Sequence, residues 1–413
     1  MDETEILVIG AGLAGLRCAD VLVRAGREVL VWEAKSVVGG RIRTDIVDGF
    51  RCDRGFQVLN PAYPELREAV DLARLRLQPF GAGVVVRSEE GAQEWVHPLR
   101  SPGRVPAMLA AGGIAPRDVV ALARWAAPAL RPKHLKKHRD RDVSLREALD
   151  RAGVRGEVRR VLDRFLAGVV LETTGTTSNA FALLLTRMFV LGVPALPADG
   201  MQALPKQLAA RIGDRIALEH RVFRIDSEGN QYLVHAEGVS VRAQHVVVAT
   251  DAVAAAWLTT ETAPHMHGVV TDWWATDHAV PGPPMLRVDG RSHPRGPVLN
   301  TAVISAAART YAPPGRHLIA ASAVVAGDGT VPPETAMREH AADILQTDGR
   351  RWTPLIRHVI PKALPAQDPP LSVRRPIRTA AGIWLCGDHR DTASIQGALV
   401  SGRRTAEAIL AAR

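Results

Sequence analysis

Gly10, Gly12 and Gly15 form a G-x-G-x-x-G pattern, with Ala11, Leu13 and Ala14 between them. Each glycine answers a separate requirement of dinucleotide binding. The first permits a tight turn, the second lets the backbone approach a pyrophosphate, and the third lets a helix pack closely on a strand. A helix opening at Leu13 and Ala14 would aim its N–H groups and the positive end of its dipole at the phosphates. Glu33, followed by Ala34, offers a carboxylate to ribose hydroxyls and would repel a 2′-phosphate. The glycines alone also fit a tight turn without a ligand. Metal and disulfide chemistry are not expected. The three cysteines, Cys18, Cys52 and Cys386, lie far apart, and no Cys/His spacing matches a zinc site.

The elements that must position these residues can be read from periodicity. A short apolar run over 5–10 leads into a helical stretch from Leu13 to Ala25, and a second run, Val29 to Trp32, ends at Glu33. This is a β-α-β unit, the building block of parallel sheet. Residues 80–198 are richer in helical patterns, with proline breaks. Sheet character returns from Ile216 to Val248, and further strands are expected at 268–270, 298–304 and 317–325. A helix is expected over 334–345, an apolar strand over 383–388 and a last helix over 397–412. Such an order predicts an α/β protein. A Rossmann-type domain is built from discontinuous segments, 1–80, 199–255 and 362–413, and an α+β substrate domain, 81–198 and 256–361, is inserted between them.

Composition narrows the function. The chain has 413 residues, 46% hydrophobic and 23% charged, so neither general disorder nor a low-complexity fibre is compatible with it. A net charge of +9 permits anionic partners. No nucleic-acid-binding motif accompanies the charge, so nucleic acid is not expected as a partner. The acidic start runs straight into a strand, unlike a signal peptide, and no uncharged apolar run reaches the roughly 18 residues of a spanning helix. With so few cysteines, a cytoplasmic location is expected. The stretch Arg131 to Arg141 carries six Lys/Arg after an apolar segment from Met108 to Trp125. It reads either as a contact with an anionic membrane surface or as a solvated loop.

Beyond the ribose carboxylate, Val38-Gly39-Gly40-Arg41-Ile42-Arg43-Thr44 resembles the second signature of the FAD-dependent amine oxidase, protoporphyrinogen oxidase and phytoene desaturase superfamily. The resemblance extends along the chain. Asp53 to Val58, with Gly55, Phe56 and Gln57, is similar to the segment beside the flavin ring, and Val222 to a strand position whose backbone touches adenine. Gly387-Asp388 and Ser394-Ile395-Gln396-Gly397 resemble the last signature. The resemblance implies bound FAD, with the fork of Arg41 offered to the phosphates and Asp388 near the ribityl–phosphate region. The dipole of the helix from Ile395–Gly397 would then favour negative charge at the N1–C2 edge of the ring. Cys386 falls away from the position of covalent attachment, so noncovalent FAD is expected. There is one glycine fingerprint, not two, which argues against NAD(P)H.

On the substrate side the resemblance implies hydride transfer from a small molecule to flavin N5, with oxygen or another acceptor restoring the flavin. Three residues are candidates there. Lys362 is one of only six lysines, and amine oxidases hold a lysine near N5 through water; the other reading is a solvated lysine near a turn. Phe56 falls in the flavin-side segment. Trp273 and Trp274 are adjacent on an expected strand, so at most one of them faces the pocket, and Trp273 is the candidate, with core packing as its alternative role. Residues 388–400 hold no Trp, Tyr or Phe, and Gly-Asp stands where amine oxidases often carry Gly-Glu. Both features lean toward an oxidase or desaturase of an apolar or cyclic substrate. An amine oxidase is the alternative, and a non-redox escort protein on the same fold is the alternative of another class.

Overall fold

The computed structural model describes residues 2–98, 100–110, 114–131 and 141–412. Its first strand, Asp2–Ile9, carries four consecutive apolar residues, Ile6 to Ile9, all buried. A strand apolar on both faces belongs in the middle of a sheet covered on both sides, and this one is flanked in parallel by Val29–Trp32 and Val239–Val248. The full order of the sheet is Val222–Glu228, Gln231–Ala236, Val239–Val248, Asp2–Ile9, Val29–Trp32 and Ile216–Ala217. Trp384–Leu385 pairs in parallel with Val247 and Val248, beyond the stretch of that strand taken by the antiparallel neighbour Gln231–Ala236.

Four parallel strands therefore end at one edge. Ile9 leads into Gly10, Trp32 into Glu33, Val248 into Ala249 and Leu385 into Cys386 and Gly387. The carboxyl ends of parallel strands are where open α/β sheets bind ligands. The helix Leu13–Arg24 packs beneath this edge against the C-terminal helix Ile395–Ala411, and Leu16, Leu22, Leu399 and Ile409 share one core cluster. The two helices touch closely at Gly402, where a Cβ would lie 2.2 Å from the Ala14 carbonyl oxygen.

A second sheet of seven strands stands apart from the first. Its order is Thr353–Pro365, Met266–Thr276, His317–Val325, Asn300–Val303, Leu286–Asp289, Gly83–Arg87 and Ala92–Val96. The long strand Met266–Thr276 is buried on both faces because different partners cover them. Val270 and Trp274 pack with Met337 and Ile344 of the helix Glu334–Leu345, while Trp273 and Ala275 join the cluster that includes Phe50 and Tyr311.

Three expectations are refined. Residues 80–198 are largely helical among the described residues, as expected, and in addition their hairpin Gly83–Arg87 and Ala92–Val96 forms the sheet edge and pairs in parallel with Leu286–Asp289. The short valine run Val84–Val86 carried this signal, and the prolines that follow obscured it. The strand expected over 298–304 stops at Val303 and turns into the helix Ile304–Ala307. The domain boundary placed at 361/362 falls inside Thr353–Pro365, which stays in the second sheet to its end. Of the basic stretch 131–141, residues 132–140 lie outside the described residues. Among the described residues no helix is long and apolar enough to cross a membrane.

Candidate functional site

A cavity of about 1010 Å³ runs from the carboxyl edge of the first sheet to the wall of the second. Its first half is built of loops. At Gly10 the backbone is left-handed, with φ +107°, and a Cβ would strike the Ala249 carbonyl oxygen at 2.9 Å. Gly12 has nothing within 4 Å of a would-be Cβ, so its backbone borders open space that a ligand can enter. Gly39 donates its N–H to the Ala11 carbonyl at 2.8 Å and locks the second loop onto the first.

The Glu33 carboxylate is buried and fixed by main-chain donors. Its Oε2 accepts from Ala11 N–H at 2.7 Å and its Oε1 from Lys35 N–H at 3.0 Å. A carboxylate accepts about four hydrogen bonds, so capacity remains for ribose hydroxyls. Arg41 donates from Nη2 to Asp388 Oδ1 at 2.6 Å and from Nη1 to the Ala363 carbonyl at 2.6 Å. Burial opposes its charge, but the Asp388 carboxylate outweighs this and holds the guanidinium above its ordinary range. This fork therefore ties the second FAD-type segment to the last and is not wholly free for phosphate. At the C-terminal helix, Ser394 Oγ accepts from Gly397 N–H at 3.0 Å and caps the helix that faces the cavity.

The structure brings most of the expected residues to this one place. Gly10, Gly12, Leu13 and Ala14 line the cavity from the first loop, and Glu33, Ala34, Gly39, Gly40 and Arg41 from the second. Gly55, Phe56, Gln57 and Val222 follow, then Gly387, Asp388, Ser394 and Ile395. Phe56 meets Phe80 edge-to-face at 6.0 Å between centroids.

Four expected residues fall outside the lining. Gly15 acts one layer deeper, where a Cβ would lie 2.0 Å from the Gly10 carbonyl oxygen, so it serves helix–strand packing. Gln396 turns its Oε1 to the Glu65 N–H at 3.0 Å. Trp273 is 2% exposed and belongs to the core cluster, so it packs the core and does not face the pocket. Lys362 is exposed and does not border the cavity, although Ile360, Ala363 and Leu364 do. The reason is a bulge: between His267 and Val269 the partner strand advances from Leu364 to Ile360, and the extra residues turn Lys362 to solvent.

The second half of the cavity is a chamber that the sequence analysis did not foresee. Phe181, Leu185 and Phe189 come from one helix, Asn179–Leu191, at a spacing of four that was legible in the sequence. Val158, Val161, Leu162 and Phe165 come from the helix Gly156–Val170. Phe165 and Phe189 meet edge-to-face at 5.2 Å. Trp95, Val269, Leu286 and Ile360 close the wall on the sheet side. The carboxylates bordering the cavity are Glu33, Asp251 and Asp388, all on loops at the edge of the first sheet; none lies in the chamber among the described residues.

The first half fits FAD. Space is open at Gly12, Glu33 has acceptor capacity for ribose, and the buried Gln57 Oε1 lacks a partner while its Nε2 is engaged by the Arg41 and Arg54 carbonyls. An acceptor stranded at the cavity wall suits a donor on a bound ligand. Cys18, Cys52 and Cys386 are buried and do not border the cavity, so FAD is held without a cysteine bond.

Comparison with known proteins gives the same reading. Residues 13–410 match the profile of the family described as flavin containing amine oxidoreductase. Putrescine oxidase of Kocuria rosea is 27% identical over 280 residues, covering 60% of this chain and 56% of that protein. The match thus spans little over half the length of this curated relative. An oxidoreductase structure from Methanosarcina mazei superposes with a TM-score of 0.76 at 19% identity, covering 98% of this chain and 100% of that one. A putrescine oxidase structure with putrescine bound gives 0.69 at 19% identity, covering 99% of each chain. At such identities the superpositions establish the fold, and the profile match across nearly the whole sequence establishes the kinship: the chain belongs to the flavin-containing amine oxidoreductase family.

Proposed function

We propose that this chain is an FAD-dependent oxidoreductase, of oxidase or desaturase type, acting on an apolar small molecule. The observation that carries the reading is the chamber: a wall of phenylalanine, valine and leucine side chains with no carboxylate among the described residues. When bound, FAD supplies a two-electron acceptor for a substrate hydride, and oxygen or another acceptor restores it. The protein has to hold a C–H bond at the correct distance and keep water out. Phe165, Phe181 and Phe189 are suited to excluding water, and Phe56 and Gln57, in the segment similar to the one beside the flavin ring, line the same cavity. A protonated amine entering this chamber would lose hydration without gaining a counter-charge, which is costly in an apolar site.

Amine oxidation is the second reading, favoured by the similarity to putrescine oxidase. Anaerobic mixing of the FAD-loaded protein with a panel of neutral ring compounds and alkyl amines distinguishes them. Loss of the oxidised flavin absorbance with neutral compounds, recovered on admitting air or another acceptor, supports the first reading. Loss with amines alone overturns it.

A further inference from the structure

Among the described residues three asparagines are buried, and two of them hydrogen-bond through their side chains. Asn60 donates to the Met188 carbonyl at 2.8 Å and accepts from Ala62 N–H at 2.9 Å. Asn179 accepts from Trp125 Nε1 at 2.8 Å. The third, Asn300, is 3% exposed and borders the chamber, and no described residue hydrogen-bonds its side-chain amide. A buried amide left without partners is disfavoured unless something else fills its hydrogen-bonding capacity.

The surroundings are arranged around that amide. Across the chamber wall, Gly168 sits inside the helix Gly156–Val170 with no left-handed backbone to explain a glycine there. A glycine in a helix interior weakens the helix relative to alanine. Its effect here is steric: a Cβ at 168 would lie 2.2 Å from Asn300 Nδ2. Asn300 pairs across the sheet with Ser322, which also borders the chamber and shares a hydroxyl–hydroxyl hydrogen bond of 2.8 Å with Thr271. Asn300 and Ser322 thus bring polar atoms into a stretch of wall that is mainly phenylalanine, valine and leucine; Asn60, Tyr63, His97 and Arg100 are polar residues elsewhere on the cavity lining.

We propose that Asn300 is the specificity-determining residue of the chamber, hydrogen-bonding the one neutral polar group, a carbonyl or hydroxyl, of an otherwise apolar substrate, with Gly168 keeping the space for it. The inference rests on the apolar-substrate reading above and adds the substrate class. An amide has both donor and acceptor, so it serves either group, and it carries no charge to balance an ammonium. A site built to hydrogen-bond a substrate group discriminates strongly against analogues lacking it.

Calorimetric titration of the FAD-loaded protein with decan-2-one and decan-2-amine tests this, with FAD content and melting temperature recorded for every variant. Wild type is expected to bind the ketone roughly tenfold or more tighter than the amine. Asn300→Leu, and independently Gly168→Ala acting from the other wall, should each weaken ketone binding by about tenfold with FAD retained. Asn300→Asp should reverse the order of the two probes. Unchanged ketone affinity in Asn300→Leu overturns the role of Asn300 and leaves the apolar reading standing. Tighter binding of the amine by wild type overturns the apolar reading itself.

Discussion

The two halves of the cavity are built in opposite ways. The nucleotide half is made of backbone: glycines at strand ends, amides fixed around Glu33, a capped helix start at Ser394. Each part is shaped by its own few residues. The chamber is made of side chains from two helices and several strands whose positions in sequence range from Trp95 to Leu364. The carboxylates divide the same way, with Glu33, Asp251 and Asp388 on the first side and none on the second, whose mainly hydrocarbon wall is flanked by His97 and Arg100. A ligand with fixed phosphates and ribose can be met by a fixed set of short loops. A substrate is met by whatever side chains the folded elements converge on, so this half is the one free to vary with chemistry.

If the halves are independent in this sense, damage to a nucleotide loop should abolish cofactor binding whatever the chamber does. Gly15→Val places a branched side chain where even a Cβ would lie 2.0 Å from the Gly10 carbonyl. Near-complete loss of flavin absorbance in the purified variant is expected, with destabilisation on the order of 3 kcal/mol from overpacking. Normal FAD content would show that the helix does not depend on this close approach.

Two buried groups near the nucleotide loops respond to pH in opposite senses. His389, in the loop after Asp388, is buried with neither ring nitrogen partnered. Burial, assisted by Arg390 and Arg41 and opposed by Asp388, lowers its pKa to about 4. The unfolded chain binds a proton near pH 6.5 and the folded one does not, so this group's contribution, roughly 3 kcal/mol, is full above that pH and is lost as pH falls toward 4. Asp53 works in the other direction. Burial raises its pKa to about 6 against hydrogen bonds from Thr44, Met201 and Tyr311, so the folded state gains stability relative to the unfolded one as pH falls from about 6 to 4. The two slopes oppose one another in wild type. His389→Leu should remove one of them, and its melting temperature relative to wild type should rise steadily between pH 6.5 and 4.5. A difference between the two proteins that does not change with pH would exclude His389 as the source.

A smaller effect is expected where one contact is removed and the loop remains. Glu33→Ala loses the ribose acceptor and leaves the Ala11 N–H without its partner, so FAD should bind about 1–3 kcal/mol more weakly while the chain stays folded. Titration of the apoprotein with FAD measures this, and an unchanged dissociation constant removes Glu33 from the site. Smallest of all is Lys362→Met. The side chain is exposed and outside the cavity, so flavin reduction rates should stay within about twofold of wild type. A large loss would mean that the bulge at 361–363 rearranges when substrate binds.

What the sequence determined by itself is local. The run from Glu5 to Glu33 holds a strand, a glycine turn, a helix and a carboxylate within one β-α-β unit, and short-range sterics dictate its shape before anything packs on it. The matching signatures at Gly39–Arg41 and Gly387–Asp388 were legible for the same reason, since each is a turn whose glycines answer a backbone requirement. Tertiary structure decided the rest. No local rule says that Arg41 reaches Asp388 and Ala363, that a bulge carries Lys362 outward, or that the covered face of a strand claims Trp273 for the core. The chamber belongs to this second class. Asn300 gains meaning only because Gly168, remote in sequence, leaves it room in a wall of hydrocarbon, and such a contact exists only once helix and sheet have packed.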